Sequence, residues 1–174
     1  NRWDYDFHIL GGVHGNNPFF GAAWAGDIEG AGFRGEAAVK KISDETKKFF
    51  PTVQGSWSST VVLSADYTFT NNAYVHTEAL FNDRGVTDQA VSFLPASLSL
   101  GLLSPARWSL FQELSFDIHP LVRISAFVLY NPSDQSSAFV TSASWSVIEN
   151  FDVSFFGLIF SGKPQTEYGG YGQS

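Results

Sequence analysis

The 174 residues contain no cysteine and no methionine. Without thiols the chain can form neither a disulfide scaffold nor a thiolate-held metal site, and it needs no bridges to pass through an oxidising periplasm. Methionine is missing at position 1 too, and no signal peptide leads the sequence, so a processed mature form or a fragment is expected. Charge is scarce at 16%, against roughly 25% in typical soluble domains. Its balance is acidic, −7, which argues against nucleic acid as a partner because phosphate binding needs a basic surface. Solubility alone would also account for the acidity. Long apolar runs are lacking as well: no stretch approaches the roughly 20 consecutive residues of a membrane-spanning helix. Mean hydropathy is −0.04, so the apolar residues are spread thinly. What abounds is aromatic side chains, 16% of the chain with 17 Phe.

The dominant order is a period of two. Trp3, Tyr5, Phe7 and Ile9 alternate with Asp4, Asp6 and His8. A helix would scatter these two sets around its circumference, whereas a strand separates them. The same alternation sets Phe20, Ala22, Trp24 and Ile28 against Asp27 and Glu29, and Phe33, Gly35, Ala37 and Val39 against Arg34, Glu36 and Lys40. Val61, Leu63, Ala65, Tyr67 and Phe69 oppose Ser64, Asp66, Thr68 and Thr70; Val75, Ala79 and Phe81 oppose Tyr74, His76 and Glu78. Four later stretches repeat it less cleanly: Trp108 to Asp117, where Phe111 breaks the pattern, then Val122 to Val128, Phe139 to Val147, and Phe151 to Ile159. About nine strands of about ten residues result, the length a tilted strand needs to cross a bilayer and well above the soluble average of five or six.

Connections are expected to alternate in length. Gly30-Ala31-Gly32, Asn71-Asn72, His119-Pro120 and Glu149-Asn150 are turn-forming pairs or triplets. Between them lie longer links, His14 to Phe19, Ile42 to Ser56, Asp83 to Arg107, and Asn131 to Ser137. A soluble sandwich has no reason to sort its loops this way, whereas a membrane barrel has short turns on one rim and longer loops on the other. Two links have further content. Lys40, Lys41, Lys47 and Lys48 cluster beside Phe49, Phe50 and Pro51; such ammonium groups suit anionic lipid headgroups or lipopolysaccharide phosphates, or simply a solvated loop. Ala90 to Leu103 is apolar without two-residue order and contains Pro95, which leaves open a plug, a lid helix or a segment over the mouth of a barrel.

Ten-residue alternating strands, aromatic ends, dipeptide turns and the absence of Cys resemble the bacterial outer-membrane porin-like β-barrels. The resemblance is architectural and covers nearly the whole chain, including Phe160 to Gly170 as a last external loop. It implies an all-β fold, an antiparallel transmembrane β-barrel of about 8–10 strands or a fragment of a larger barrel, with residues 1–174 forming one barrel domain in the outer membrane. Two features depart from the family. An odd strand count leaves both chain ends pointing to opposite rims, and Tyr171-Gly172-Gln173-Ser174 is not the aromatic-terminated strand such proteins end on. Either a strand is hidden between Gln89 and Leu103, or the final strand is lacking; the abrupt start at Asn1 favours the second.

In this frame the face opposite the aromatics lines the lumen. Asp4, Asp6, His8, Arg34, Glu36, Asp66, His76, Glu78, Glu113, Asp117 and Arg123 are the expected lining residues. Carboxylates outnumber bases among them, so an open lumen would favour cations. In a barrel of roughly eight strands, side chains alone would fill the interior, and Arg34, Lys40 and Arg123 would then pair internally with carboxylates. Small lipid-modifying barrel hydrolases use a Ser, a His and an acidic group, with the His facing lipid. His8 and His76 fall on the polar side, and no nucleophile motif, phosphate loop or zinc-ligand spacing is present. No catalytic residue, cofactor or metal is therefore expected. Three readings follow: a porin-like channel for small polar or cationic solutes, a structural barrel anchored with other outer-membrane subunits, and, least supported, a barrel enzyme. The expected surroundings are the lipid bilayer and lipopolysaccharide.

Overall fold

A computed structural model describes residues 5–171. Nine antiparallel strands form one sheet in simple sequence order: β1 Tyr5–His14, β2 Asn17–Ile28, β3 Ala31–Lys41, β4 Trp57–Thr68, β5 Tyr74–Asn82, β6 Trp108–His119, β7 Val122–Asn131, β8 Ser136–Ile148 and β9 Phe151–Ser161. Two helices interrupt this meander, α1 Asp44–Phe49 between β3 and β4 and α2 Ala90–Leu100 between β5 and β6. The sheet is open, because β1 pairs only with β2 and β9 only with β8 among the described residues. With an odd number of antiparallel strands, β1 and β9 run in the same direction, so closing this sheet on itself would need a parallel seam rather than the antiparallel pairing found everywhere else. The expectation of a closed barrel is corrected to an all-β open sheet.

Residues opposite one another in an antiparallel ladder share a face. The pairings Phe7↔Trp24↔Gly35↔Leu63↔Ala79↔Leu110 therefore define one face across six strands. Following the registers, this face carries Ile9, Val61, Phe81, Trp108, Leu114, Ile124, Phe139, Trp145, Phe155 and Ile159, and among the described residues the only Asp, Glu, Lys or Arg on it is Lys41 at the end of β3. Much of it is open: Phe7 is 75% exposed, Ile9 91% and Phe155 66%. Of the aromatics expected to point outward, Phe7, Trp24, Tyr67, Phe81, Trp145 and Phe155 share this face, Phe69 falls in the turn after β4, and Trp3 lies outside the described residues. Gly35 is where Trp24 folds over the sheet: a Cβ there would lie 2.1 Å from the indole, so glycine is what lets this ring lie flat.

The connections alternate between two rims, as a meander requires. At one rim are the turns Glu29-Gly30, 69–73, Pro120-Leu121 and Glu149-Asn150; at the other are Gly15-Asn16, 42–56, 83–107 and 132–135. The first link proves short, a correction to the expected loop from His14 to Phe19. Strand pairing continues to His14↔Asn17 because Gly11 and Gly12 leave room for the rings of Phe20 and Phe19, and Gly15 turns the chain at φ +61°.

Nor does the stretch from Gln89 to Leu103 hide a strand. It folds as α2 despite Pro95 and ends in a Schellman turn, with Gly101 at φ +69° donating to the Leu98 carbonyl (3.0 Å) and Leu102 to that of Ser97 (2.9 Å). The small apolar core sits here rather than within the sheet: Ile42, Val53, Ala96, Leu100 and Leu102 are buried together, flanked by Phe50 and Phe93. Ser43 caps α1 by accepting from Thr46 N (3.0 Å), and the Thr46 and Ser99 hydroxyls, 2.9 Å apart, join α1 to α2.

Asn82 ties the long loop to the sheet. It is fully buried; its amide donates to the Ser104 and Ala106 carbonyls, both at 3.0 Å, and its Oδ1 accepts from the Thr60 hydroxyl at 3.0 Å. Asn82→Ala would leave those groups buried without partners, at about 1–3 kcal/mol for each such group. A loss of about 2–4 kcal/mol is expected, read as a lowered urea midpoint; an unchanged midpoint would show that the loop is held by something else.

Candidate functional site

The second face holds nearly all the charge of the strands. Asp6, Asp27, Glu36, Asp66, Glu78, Glu113, Asp117 and Asp152 lie on it, with Arg34, Lys40 and Arg123. Of the residues expected to line a lumen, Asp6, His8, Arg34, Glu36, Asp66, His76, Glu78, Glu113, Asp117 and Arg123 share this face, and Asp4 lies outside the described residues.

Cross-strand pairing gathers part of this set into a belt. Asp66 stands opposite His76, and His76 opposite Glu113, on three successive strands. The Arg34 guanidinium reaches Asp66 across β3 and β4 as a direct ion pair. Gly32 lies beside it, where a Cβ would be 2.8 Å from the Asp66 carboxylate and would push that side chain aside. Lower on β6 and β7, Arg123 donates to the Ser115 hydroxyl (2.8 Å) and lies 3.5 Å from Asp117. Phe111, which broke the sequence alternation, belongs to this polar face: its ring packs edge-on to His76 at 5.3 Å and against Phe127 at 5.5 Å. The belt thus has an aromatic floor between its acidic groups. His8 is not part of it. It sits on β1, four strands from His76 on β5, so the two histidines do not share a site. Among the described residues no group of three His, Asp or Glu side chains is placed to hold a metal ion.

Toward the rim that carries the helices, the same face is covered. Leu100, Leu102 and Leu103, from the end of α2, lie with His8, Leu10, Glu36 and Lys40 around one cavity. Beyond β9, residues 162–171 fold back onto the rim. Glu167 N donates to Asp134 Oδ2 (2.9 Å) and Tyr168 N to the Ser136 hydroxyl (3.3 Å). The Glu167 carboxylate accepts from the Ser104 hydroxyl (2.7 Å) and from the Asn131 amide (3.2 Å). Asn131 is fully buried, and its own Oδ1 accepts from Ser133 N at 2.9 Å, which shapes the turn between β7 and β8. One carboxylate therefore joins the tail, the loop before β6 and the end of β7.

Burial pushes the Glu167 carboxyl above its ordinary range, with the neighbouring Asp134 charge acting in the same direction and the bonds from Ser104 and Asn131 opposing it. Burial and the Glu167 charge likewise raise the Tyr168 phenol. None of this was legible in the chain. Asn82 and Asn131, each at a strand end where a longer connection begins, were the available signals, but nothing in sequence spacing pairs Asn131 with Glu167.

A carboxyl whose folded pKa is raised contributes stability that is complete below its unfolded pKa and is lost as pH rises through the folded value. Packing of residues 163–169 should therefore be tightest in acid and loosen above the raised pKa of Glu167. Glu167→Gln, which cannot ionise, should abolish that dependence. Amide exchange of this segment, corrected for intrinsic rates and followed against pH, would measure it; the same pH profile in the variant would exclude Glu167 as the cause.

Compared with known proteins, the chain matches no family model, no curated protein and no solved structure.

Proposed function

We propose that the nine strands form the wall of an outer-membrane β-barrel that acts as a porin-like channel for small polar or cationic solutes. The observation that carries this reading is the separation of charge between the two faces. One face bears the acidic belt; the other exposes Phe7, Ile9, Leu63, Leu114, Phe155 and Ile159 and, among the described residues, has no charged strand residue besides Lys41. In water so large an unpacked apolar surface would be an aggregation surface; against acyl chains it is matched to its solvent. Strand lengths of 9 to 13 residues fit a tilted crossing of the hydrocarbon. Aromatics near both rims agree with an interfacial girdle: Trp57 and Trp108 begin their strands at the helical rim, and Tyr67 and Trp145 stand near the other.

An unpaired backbone group in lipid costs several kcal/mol, so the free edges of β1 and β9 favour the version in which these strands are part of a larger wall. A lumen lined by the Asp66, Glu78 and Glu113 carboxylates would attract cations. Lys47 and Lys48, in the last turn of α1 at the helical rim, suit the phosphates of lipopolysaccharide. A second reading, a structural barrel that anchors other outer-membrane subunits, is favoured by α2 and the tail, which cover part of the polar face. Catalysis has no support from His8 and His76, set four strands apart.

The four described tryptophans, Trp24, Trp57, Trp108 and Trp145, all lie on the apolar face. In vesicles of brominated lipid their fluorescence should be strongly quenched, while aqueous acrylamide should quench it weakly. The opposite pattern would end the membrane reading. In planar bilayers, replacing Asp66, Glu78 and Glu113 together by Asn or Gln should move the reversal potential under a salt gradient toward zero, and high salt should screen the preference of the unmodified protein. Anion selectivity would contradict the charge argument, and absence of current would transfer the weight to the anchoring role.

A further inference from the structure

The helical rim contains two neighbouring cavities of opposite character. One, of about 360 Å³, is polar: His14, Lys40, Lys41, Ser43, Ser58 and Ser99 are among its walls. The other, of about 450 Å³, is mainly apolar, bounded by Leu10, Val62, Leu100, Leu102 and Leu103 over the polar face of β1–β4. Each falls in the size range of small-molecule sites. They meet at Lys40, Ser58 and Leu100, which line both.

Lys40 is the residue that distinguishes this junction. It is partly exposed, and among the described residues its ammonium has neither an ion pair nor a hydrogen bond. The end of α2 comes close to it: Nζ lies 3.5 Å from where a Gly101 Cβ would be, at the negative end of the helix. Glu45 borders the polar cavity and Glu36 the apolar one, but neither pairs with Lys40. Lys40, Lys41 and Glu45 all border the polar cavity together with Ser58, so its lining has a net positive charge.

We propose that this paired cavity binds an amphipathic anion, an alkyl chain ending in a carboxylate or a phosphate, with the anionic head on Lys40 and the chain along Leu10, Val62 and Leu100 to Leu103. A cationic head would meet Lys40 and Lys41, and a neutral head would leave the ammonium unpaired. A free fatty acid and an alkyl phosphate released from lipid share this chemistry. The site depends on the fold alone and not on whether the wall conducts.

The test uses the full chain in zwitterionic lipid nanodiscs, photolabelled with dodecanoate carrying a diazirine on its alkyl chain and mapped by mass spectrometry. Labels are expected on residues 100–103 and on β4. Unlabelled dodecanoate and dodecyl phosphate should both compete, at concentrations about tenfold below those of dodecyltrimethylammonium or dodecanol, as loss of one charge-assisted contact predicts; the more effective of the two anions identifies the head group. Lys40→Gln should raise the half-competing dodecanoate concentration about tenfold, and Lys40→Arg should restore it. Leu103→Asp, at a position 79% exposed and so tolerated by the fold, should weaken labelling independently by placing a carboxylate along the chain's path. Labels confined to apolar-face residues such as Phe7 and Trp24, equal competition by the cation, or indifference to both Lys40→Gln and Leu103→Asp would overturn the proposal. Because no current is measured, the channel reading stands or falls separately.

Discussion

Register is the constraint on which the rest of this structure depends. In an antiparallel ladder the side chains alternate with a period of exactly two residues along each strand, and a slip of one residue would exchange the faces of every residue beyond it. Across β3 to β5 the pairing holds without a break, so Arg34, Ser64 and Glu78 point one way while Gly35, Leu63 and Ala79 point the other. The two irregularities, between Asp117 and His119 and between Ser146 and Ile148, fall at strand ends next to the short turns. Bulges placed there take up the mismatch without mixing the charged and apolar sets.

Stability is distributed unusually as a consequence. A sheet with an exposed apolar face and a charged opposite face has little of its own to bury, and the cluster of Ile42, Val53, Ala96, Leu100 and Leu102 sits instead among the long connections at one rim. The polar groups buried there are satisfied by one another: Asn82 serves two carbonyls, Ser109 donates to Ser104, and Ser104 donates to Glu167. Such networks are favourable only when complete, because a half-satisfied one retains the cost of desolvation. The long loops are thus a structured cap, and it is the cap that shapes the cavities around Lys40.

Alternation makes the charge distribution legible from the chain. Since the side-chain period of a strand does not depend on what the strand packs against, the face of Asp66, His76, Glu78 or Arg123 follows from local spacing, and so does the face of Trp24 or Phe155. Turn chemistry was partly legible. Asn71-Asn72 and Glu149-Asn150 do reverse the chain, with Asn72 and Asn150 at φ +64° and +63°, whereas the link expected from His14 to Phe19 is a two-residue turn because Asn17, Pro18 and Phe19 already pair with β1.

What the amino-acid sequence determined by itself was therefore the all-β class, a count of about nine strands and the two faces, all consequences of interactions between near neighbours along a strand. Tertiary structure decided whether the sheet closes, the helical state of Ala90–Leu100 around Pro95, the meeting of Lys40 with Gly101, and the burial of Glu167 against Asn131 and Ser104. Each of these joins segments tens of residues apart through loops without periodicity, and contacts of that kind depend on where the whole sheet places its rims.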